Sequence, residues 1–255
     1  MRVFLLPQSL HLRQSLEITG DDYHYLVRVR RVKEGDRFPG TDGRGGCFDC
    51  TVVRIGDRSL SLHLQQAASD AQAPPLSIRL IQCLPKARKM DLIVRQATEA
   101  GVRCVIPVYS RFSQVRSGTD GGEVEKKTER WRRIARQALQ QSGAPLPPRI
   151  ESPQNLDTAV ERMGAAAADE VRLLLHPDRQ EDHTLHRCLS KTVKIVTLVV
   201  GPEGGLSEQE LVLLRERQFV PVTVGYTVLR SETAALYAVA AVQTVIYERQ
   251  AWEST

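Results

Sequence analysis

The chain reads as an α/β protein built on a largely parallel sheet, preceded by a small β-rich domain. Three observations carry that reading. From Leu76 onward, apolar strand-like runs alternate with helical ones, the pattern of βα units feeding one sheet. Before that point, residues 1–66 hold only short, partly alternating β runs separated by turn residues. Two successive strand-like runs late in the chain also end in glycine-marked loops that lead into helices. Both loops should therefore open on one edge of the sheet, where open α/β sheets bind ligands.

In the first part, Val3–Leu6, Leu16–Ile18, Asp49–Ile55 and Leu60–Leu64 are the expected strands, and Thr41–Gly46 is an Asp-Gly turn. Asp21–Arg31 is expected to form a short helix, acidic at its start and basic at its end, where Arg28, Arg30, Arg31 and Lys33 gather. These arginines suit phosphate contacts, and equally suit a favourable helix C-terminus. Residues 67–75 are small, polar and proline-ended, a linker between domains 1–70 and 76–255. Then come strand Leu76–Leu84, helix Met90–Ala100 closed by Gly101, strand Val102–Tyr109, a mobile loop at Gly118–Gly122 and a basic helix Glu123–Gln141. Strands Val171–Leu175, Val193–Val200 and Val220–Val224 follow, with helices Glu208–Gln218 and Glu232–Glu248 after the last two.

Composition narrows the function. A chain of 255 residues with 42% hydrophobic and 25% charged content is an ordinary soluble globular protein of one or two domains. It has no run of 18 apolar residues, and Met1–Pro7 is too short for a signal peptide, so a cytoplasmic protein without a membrane partner is expected. Five cysteines include one isolated Cys47-x-x-Cys50 pair whose side chains leave a strand on opposite faces. Reduced thiols are expected, and no metal. Lys+Arg against Asp+Glu is 10 to 9 over residues 1–75, 15 to 6 over 76–150 and 10 to 15 over 151–255. The basic excess in the middle third points to a polyanionic partner, with a solvated helix face accounting for part of it.

The apolar run Val196–Val200 breaks at Gly201-Pro202-Glu203-Gly204-Gly205, and Ser207 with Glu210 forms a capping box that opens a helix. Glycines let a backbone approach closely, and free amides at a helix start favour anionic or carbonyl groups. Taken alone, this loop is equally a plain tight βα turn. The second loop, Gly225–Ala235, tips the balance toward a ligand site.

Gly201-Pro202-Glu203-Gly204-Gly205 together with Leu229-Arg230-Ser231-Glu232-Thr233-Ala234 resembles the signature of the ribosomal RNA small subunit methyltransferase E family, within the SPOUT superfamily. The likeness extends over most of the chain. Pro85–Asp91 is similar to the family's Lys-rich segment ahead of Met-Asp, Gln96–Val102 to its Lys-Ala-Thr-Glu-Leu-Gly-Val, and Gln140–Gly143 to its Glu-Gln-Ser-Gly. Arg130-Trp131 matches, and Ser110-Arg111-Phe112 stands where the family has Glu-Arg-Ser. His24–Arg31 resembles its His-His-Leu-x-x-Val-Leu-Arg, with Tyr25 for the second His. Ala144 replaces a usual Arg, which removes one expected RNA or substrate contact or moves it elsewhere.

The resemblance implies a PUA-like RNA-binding β-barrel followed by a SPOUT-type α/β trefoil knot, commonly a homodimer with sites near the interface. Knots are very rare, so that expectation rests on the family alone. It further implies methylation of N3 of a uridine in 16S ribosomal RNA of the small subunit, with S-adenosyl-L-methionine as cofactor. The cofactor would lie among Leu175, His176, Gly201, Glu203, Gly204, Gly205, Val224, Gly225, Leu229, Arg230, Thr233 and Ala234. RNA would meet His24, Arg28, Arg30, Arg31, Lys86 and Lys89. Arg111 and Arg230 are the candidate guanidinium groups for charge developing on the uracil oxygens, and Glu232 is a candidate proton acceptor. Each also suits an ion pair or a helix start. The departures at Tyr25, Gln96 and Ala144 leave a noncatalytic RNA-binding or ribosome-assembly protein as the alternative. A nicotinamide enzyme is disfavoured, since no Gly-x-Gly-x-x-Gly follows the first strand of the α/β part.

Overall fold

The structure, a computed structural model, describes residues 3–6, 15–42, 46–67, 76–113, 121–142, 146–176, 184–189 and 192–251, the side chains of 250 and 251 excepted. The chain divides into two compact units, 1–73 with 139–147 and 74–138 with 148–255.

The first unit contains β1 (Phe4–Leu5), β2 (Ser15–Thr19), α1 (Gly20–His24), β3 (Arg37–Thr41), β4 (Cys47–Ile55) and β5 (Ser59–Gln66). They form a sheet of order β1-β3-β4-β5-β2, antiparallel except where β1 runs parallel to β3. Phe4, Ile18, Leu26, Phe38 and Leu62 fill its interior. The short helix expected at Asp21–Arg31 continues beyond α1 as a π-helical turn, Tyr25–Val29. It ends at Arg31, whose φ of 55° is the left-handed conformation that stops a helix.

β3 escapes a pattern reading because it contains Pro39 and Gly40. A Cβ on Gly40 would fall 2.5 Å from Cys50 Sγ and 3.1 Å from Leu6 Cδ1, so this crossing tolerates no side chain. Cys50 is buried, and burial, with the charge of Asp49, pushes its thiol up to about 12 despite the opposing charge of Arg30. The five cysteines are free. Of the expected turn, residues 43–45 lie outside the described residues; at its base Gly46 N donates to Asp42 Oδ1 at 2.9 Å. The linker stretch 68–75 and Ala144 also lie outside them.

From Ser77 the chain runs β6 (Ser77–Cys83), α2 (Lys89–Glu99), β7 (Cys104–Tyr109), α3 (Gly121–Ser142), β8 (Arg149–Ile150), β9 (Gln154–Asn155), α4 (Leu156–Glu161), β10 (Glu170–Leu175), α5 (Leu185–Cys188), β11 (Ile195–Val200), α6 (Glu208–Glu216), β12 (Phe219–Val222) and α7 (Ser231–Ala251). Gly121 and Gly122, expected in a loop, begin α3, while 118–120 lie outside the described residues. The sheet order is β12-β10-β11-β6-β7-β8, with β9 also on β7, and every pairing is parallel.

Period-two alternation sends the sheet's apolar side chains to two faces. Ile78, Leu80, Val196 and Leu198 pack with Met90, Ile93, Trp131, Ala235, Ala238 and Val242, so α2, α3 and α7 cover one face. Ile81, Cys83, Leu174 and Val199 pack with Leu156, Ala159, Leu211 and Leu214, so α4 and α6 cover the other. Among the described residues, no helix is long and apolar enough to cross a membrane. The guanidinium of Arg249 near the end of α7 donates to the carbonyls of His186 and Leu189, which holds the β10–β11 connection against that helix.

One row of register neighbours, with buried Arg172 and Thr197 at its centre, crosses four strands toward their amino ends. Phe219, Arg172, Thr197 and Arg79 are register neighbours on β12, β10, β11 and β6. The Arg172 side chain is 1% exposed and pairs with Glu170 at 3.4 Å. It donates to Gly164 O at 3.0 Å and Arg217 O at 3.2 Å, and stacks over the Phe219 ring. Thr197 Oγ1 donates to Glu170 Oε1 at 2.8 Å. Burial pushes the Glu170 carboxyl up, but the hydrogen bonds from Thr197 and Arg172 and the charge of Arg172 outweigh it, leaving a net downward shift. A depressed folded-state value stabilises the fold above the ordinary carboxylate range, and that contribution disappears as pH falls through the folded value. Glu170→Gln, which leaves the buried guanidinium without its counter-charge, is expected to cost on the order of 3 kcal/mol at neutral pH. The deficit should shrink in acid, as read by urea unfolding at several pH values.

Candidate active site

The carboxyl ends of the three strands nearest one margin of the sheet finish level. Leu175 of β10 is in register with Val200 of β11 on one side and Val222 of β12 on the other. The two glycine loops leave β11 and β12, and His176 leaves β10 between them. His176 N donates to Val222 O at 3.0 Å, and Thr223 Oγ1 to His176 O at 3.0 Å. The two loops therefore do open on one edge.

The Gly201 loop turns through a Gly205 N to Pro202 O bond of 3.0 Å, with Gly205 at φ 73°. Beyond it, Ser207 caps α6 reciprocally with Glu210. Among the described residues no hydrogen bond engages the amides of Gly201, Gly204, Val224, Gly225 or Val228. A Cβ on Gly225 would meet nothing within 4 Å, so the rim is open there. Leu229 is half-buried against the core, while Arg230 and Thr233 are exposed. Ala234 lies in the core cluster, where its small side chain lets the first turn of α7 sit close to the sheet.

Two further loops join the same edge. β6 and β11 are the adjacent strands from which successive crossovers depart in opposite directions, the switch point where α/β sheets form a crevice. Lys89, at the start of α2, places Nζ 2.7 Å from Glu203 and 3.3 Å from Glu232. Glu203 also accepts from Lys86 N at 3.3 Å. The hydrogen bond to Glu203 raises the Lys89 ammonium above its usual range against partial desolvation, with Glu232 adding to the effect. Burial pushes the Glu203 carboxyl up, yet bonds from Lys89 and the Lys86 amide bring it down on balance. Lys89 thus ties the glycine loop to the start of α7. From β7, Arg111 N donates to Glu210 Oε1 at 2.7 Å, and a Cβ on Gly204 would sit 3.1 Å from Phe112 Cβ. The Arg111 loop is docked on the glycine loop, its guanidinium exposed.

Pattern reading missed the residue beneath these loops. Gln82, fully buried at the end of β6, donates through Nε2 to Ser231 Oγ at 3.0 Å, Cys83 O at 2.9 Å and Val200 O at 3.5 Å. Ser231 Oγ in turn donates to Gly201 O at 2.9 Å. One amide and one hydroxyl therefore connect the ends of β6 and β11 to the start of α7. A lone glutamine within the apolar run Leu80–Leu84 was the signal for it, since a polar group in such a place needs partners.

In the first unit, His24 and Arg28 are exposed on the helical turn, with His24 edge-on to Tyr23. Arg31 is exposed in its left-handed conformation. Arg30 is half-buried, 4.9 Å over the Phe38 ring, so its position is set by the unit's own core. These four residues and the sheet-edge residues belong to different units. Among the described residues no cluster of side chains suits a metal ion.

A parallel α/β sheet with open strand ends, preceded in the chain by a small mixed sheet, suits a ligand-binding enzyme, and the family matches make it an RNA methyltransferase. The profile of the RNA methyltransferase domain matches residues 72–243, and that of the RNA methyltransferase PUA domain matches 18–65. The chain belongs, more narrowly, to the ribosomal RNA small subunit methyltransferase E family. It is 34% identical to that enzyme from Aquifex aeolicus over 85% of this chain and 88% of the relative. With the Bacillus subtilis enzyme it shares 29% identity over 93% of each. Among solved structures it is similar to the Neisseria gonorrhoeae family member bound to S-adenosyl methionine, at 26% identity and a TM-score of 0.80, covering 96% of this chain and 98% of that one. A Legionella pneumophila methyltransferase in complex with the same cofactor gives 27% identity and a TM-score of 0.80, covering 95% and 96%. The α/β class with a preceding PUA domain, expected from the sequence, is borne out.

Replacing Gln82 by Leu removes donors from Ser231 and two carbonyls while keeping similar bulk. A loss of about 1–2 kcal/mol in stability is expected. Amide hydrogen exchange should accelerate in 201–206 and at the start of α7. Protection equal to the parent's would show that other contacts hold the loops.

Proposed function

We propose that this enzyme uses S-adenosyl-L-methionine to methylate N3 of one uridine in 16S ribosomal RNA of the small subunit, as a cytoplasmic homodimer. Family membership supports S-adenosylmethionine-dependent methylation of ribosomal RNA. The observation that carries the reading is the level rim of β10, β11 and β12, with five loop amides unpaired among the described residues and an open Gly225, flanked by two exposed arginines.

The rim fits the cofactor's chemistry: bare amides and short side chains suit the polar edge of adenine, and Leu229 offers its face an apolar contact. Leu175, His176, Gly201, Gly204, Gly205, Val224, Gly225, Leu229, Arg230 and Thr233 would hold it. Glu203 would shape the loop through Lys89, and Ala234 would keep α7 close from within the core. When bound, the cofactor supplies an electrophilic sulfonium methyl, and displacement there needs orientation more than a covalent partner.

Uridine N3 becomes nucleophilic when its proton leaves, and negative charge then spreads to the ring oxygens. Arg111 and Arg230, exposed and without an ion pair among the described residues, would meet that charge. Glu232 Oε2 is buried and has no hydrogen-bond partner among the described residues; its ion pair with Lys89, at 3.3 Å, orients it at the start of α7. That placement suits a proton acceptor at the same edge. His24, Arg28 and Arg31 would contact RNA through the PUA domain, with Arg30 a stacked support; Lys86 would add positive charge beside the rim, whereas Lys89 would reach RNA only by giving up Glu203 and Glu232.

Homodimer formation is supported by α7. Thr233, Tyr237, Ala240, Thr244 and Tyr247 recur at helical spacing along one exposed, uncharged stripe, and Tyr237 and Tyr247 are 51% and 75% exposed. Val228, 87% exposed in the loop that leads into this helix, extends the surface. Tyr237→Lys with Tyr247→Lys is expected to shift the light-scattering mass from dimer to monomer; a parent protein already monomeric would sink this part of the proposal.

Mass spectrometry of 16S ribosomal RNA from cells lacking the protein should show one N3-methyluridine missing. Small subunits from those cells should be remethylated by the parent protein and not by Arg230→Ala, which should remain folded. Complete methylation in the deletion strain, or a methyl group on another atom, would reject the assignment.

A further inference from the structure

We infer that the outer face of α3, with Arg95 of α2, is a docking surface for the sugar-phosphate backbone of ribosomal RNA, an inference that rests on the proposed activity. α3 carries six Lys or Arg residues and three Glu. Three of the cations are engaged: Lys127 with Glu123, Arg132 with Glu125 and Glu129, and Arg130 with Asp91 of α2. The remaining three, Lys126, Arg133 and Arg136, are exposed and form no ion pair among the described residues.

Their spacing of seven and then three residues puts them on one side of the helix, spread over about 15 Å of its axis. The opposite side, with Trp131 and Ala135, is buried in the core, which fixes the basic face outward. Arg95 lies one turn beyond Asp91 on α2, and the Asp91–Arg130 pair brings that row beside α3. It too is exposed and unpaired among the described residues.

An extended track of uncompensated cations fits a regularly charged polyanion, and the guanidinium fork matches phosphate bidentately. Among the described residues this face offers no exposed aromatic for base stacking. It would therefore contribute affinity and register but no sequence discrimination, which is left to the sheet edge.

The test is the full-length Lys126→Gln, Arg133→Gln, Arg136→Gln triple variant, whose replacements are also good helix formers. Binding to protein-free 16S ribosomal RNA transcript is measured between 50 and 200 mM salt. The slope of log K against log salt should fall in magnitude by about 2–3, with affinity down about 10- to 100-fold at 0.1 M salt. Melting temperature and S-adenosylmethionine affinity should match the parent's. A slope equal to the parent's overturns the surface, as does a fall in cofactor affinity or melting temperature that accounts for the weaker binding. Methylation by the parent protein is scored separately, so loss of the surface and loss of the activity are distinguishable.

Discussion

Every strand of the large sheet runs the same way, and both faces are sealed by helices. A polar ligand can then reach the sheet itself only along an edge, and the edge at the carboxyl ends collects each loop that leads from strand to helix. Parallel pairing demands this, because each return to the sheet needs a crossover. Register brings β10, β11 and β12 to the same height, so their loops become one surface. The buried amide of Gln82 then sets the distance between the end of β11 and the start of α7.

The sheet is held unequally at its two ends. Toward the amino ends, Arg172, Glu170 and Thr197 fill one another's hydrogen-bonding capacity out of water, a tight arrangement because a buried guanidinium tolerates little loss of partners. At the carboxyl ends, the amides of Gly201, Gly204, Val224, Gly225 and Val228 have no hydrogen-bond partner among the described residues, while the side chains of Lys89, Glu203 and Glu232 hold the loops in place. The framework is thus satisfied internally, and its unmet polar capacity faces the site.

Hydrophobic periodicity made most strands and helices of the second unit legible, and the Ser207–Glu210 cap and the glycine loops were visible as local chemistry. What stayed hidden depends on distant contacts. β3 was obscured by Pro39 and Gly40, yet Gly40 is there because Cys50 and Leu6 leave no space for a side chain. The π-helical turn carries no distinct sequence pattern. Lys89 reads as a free cation suited to RNA, and only the approach of loops more than a hundred residues away shows that two carboxylates share it. Gln82 was detectable as an anomaly in an apolar strand, but its partner Ser231 was not.

The same distinction governs the charge of the middle third. Its excess of cations, 15 against 6 acids, invites the view that each is available to a polyanion. Lys89, Lys127, Arg130 and Arg132 are instead drawn into ion pairs, partly with acids from that third and partly with Glu203 and Glu232 from the acid-rich final third. A cation already facing a carboxylate must give up that contact to bind phosphate, so its net gain is small. Electrostatic affinity for RNA therefore depends on how many cations folding leaves unmatched and on which faces they lie. Composition reveals the excess, but the fold decides where it can act.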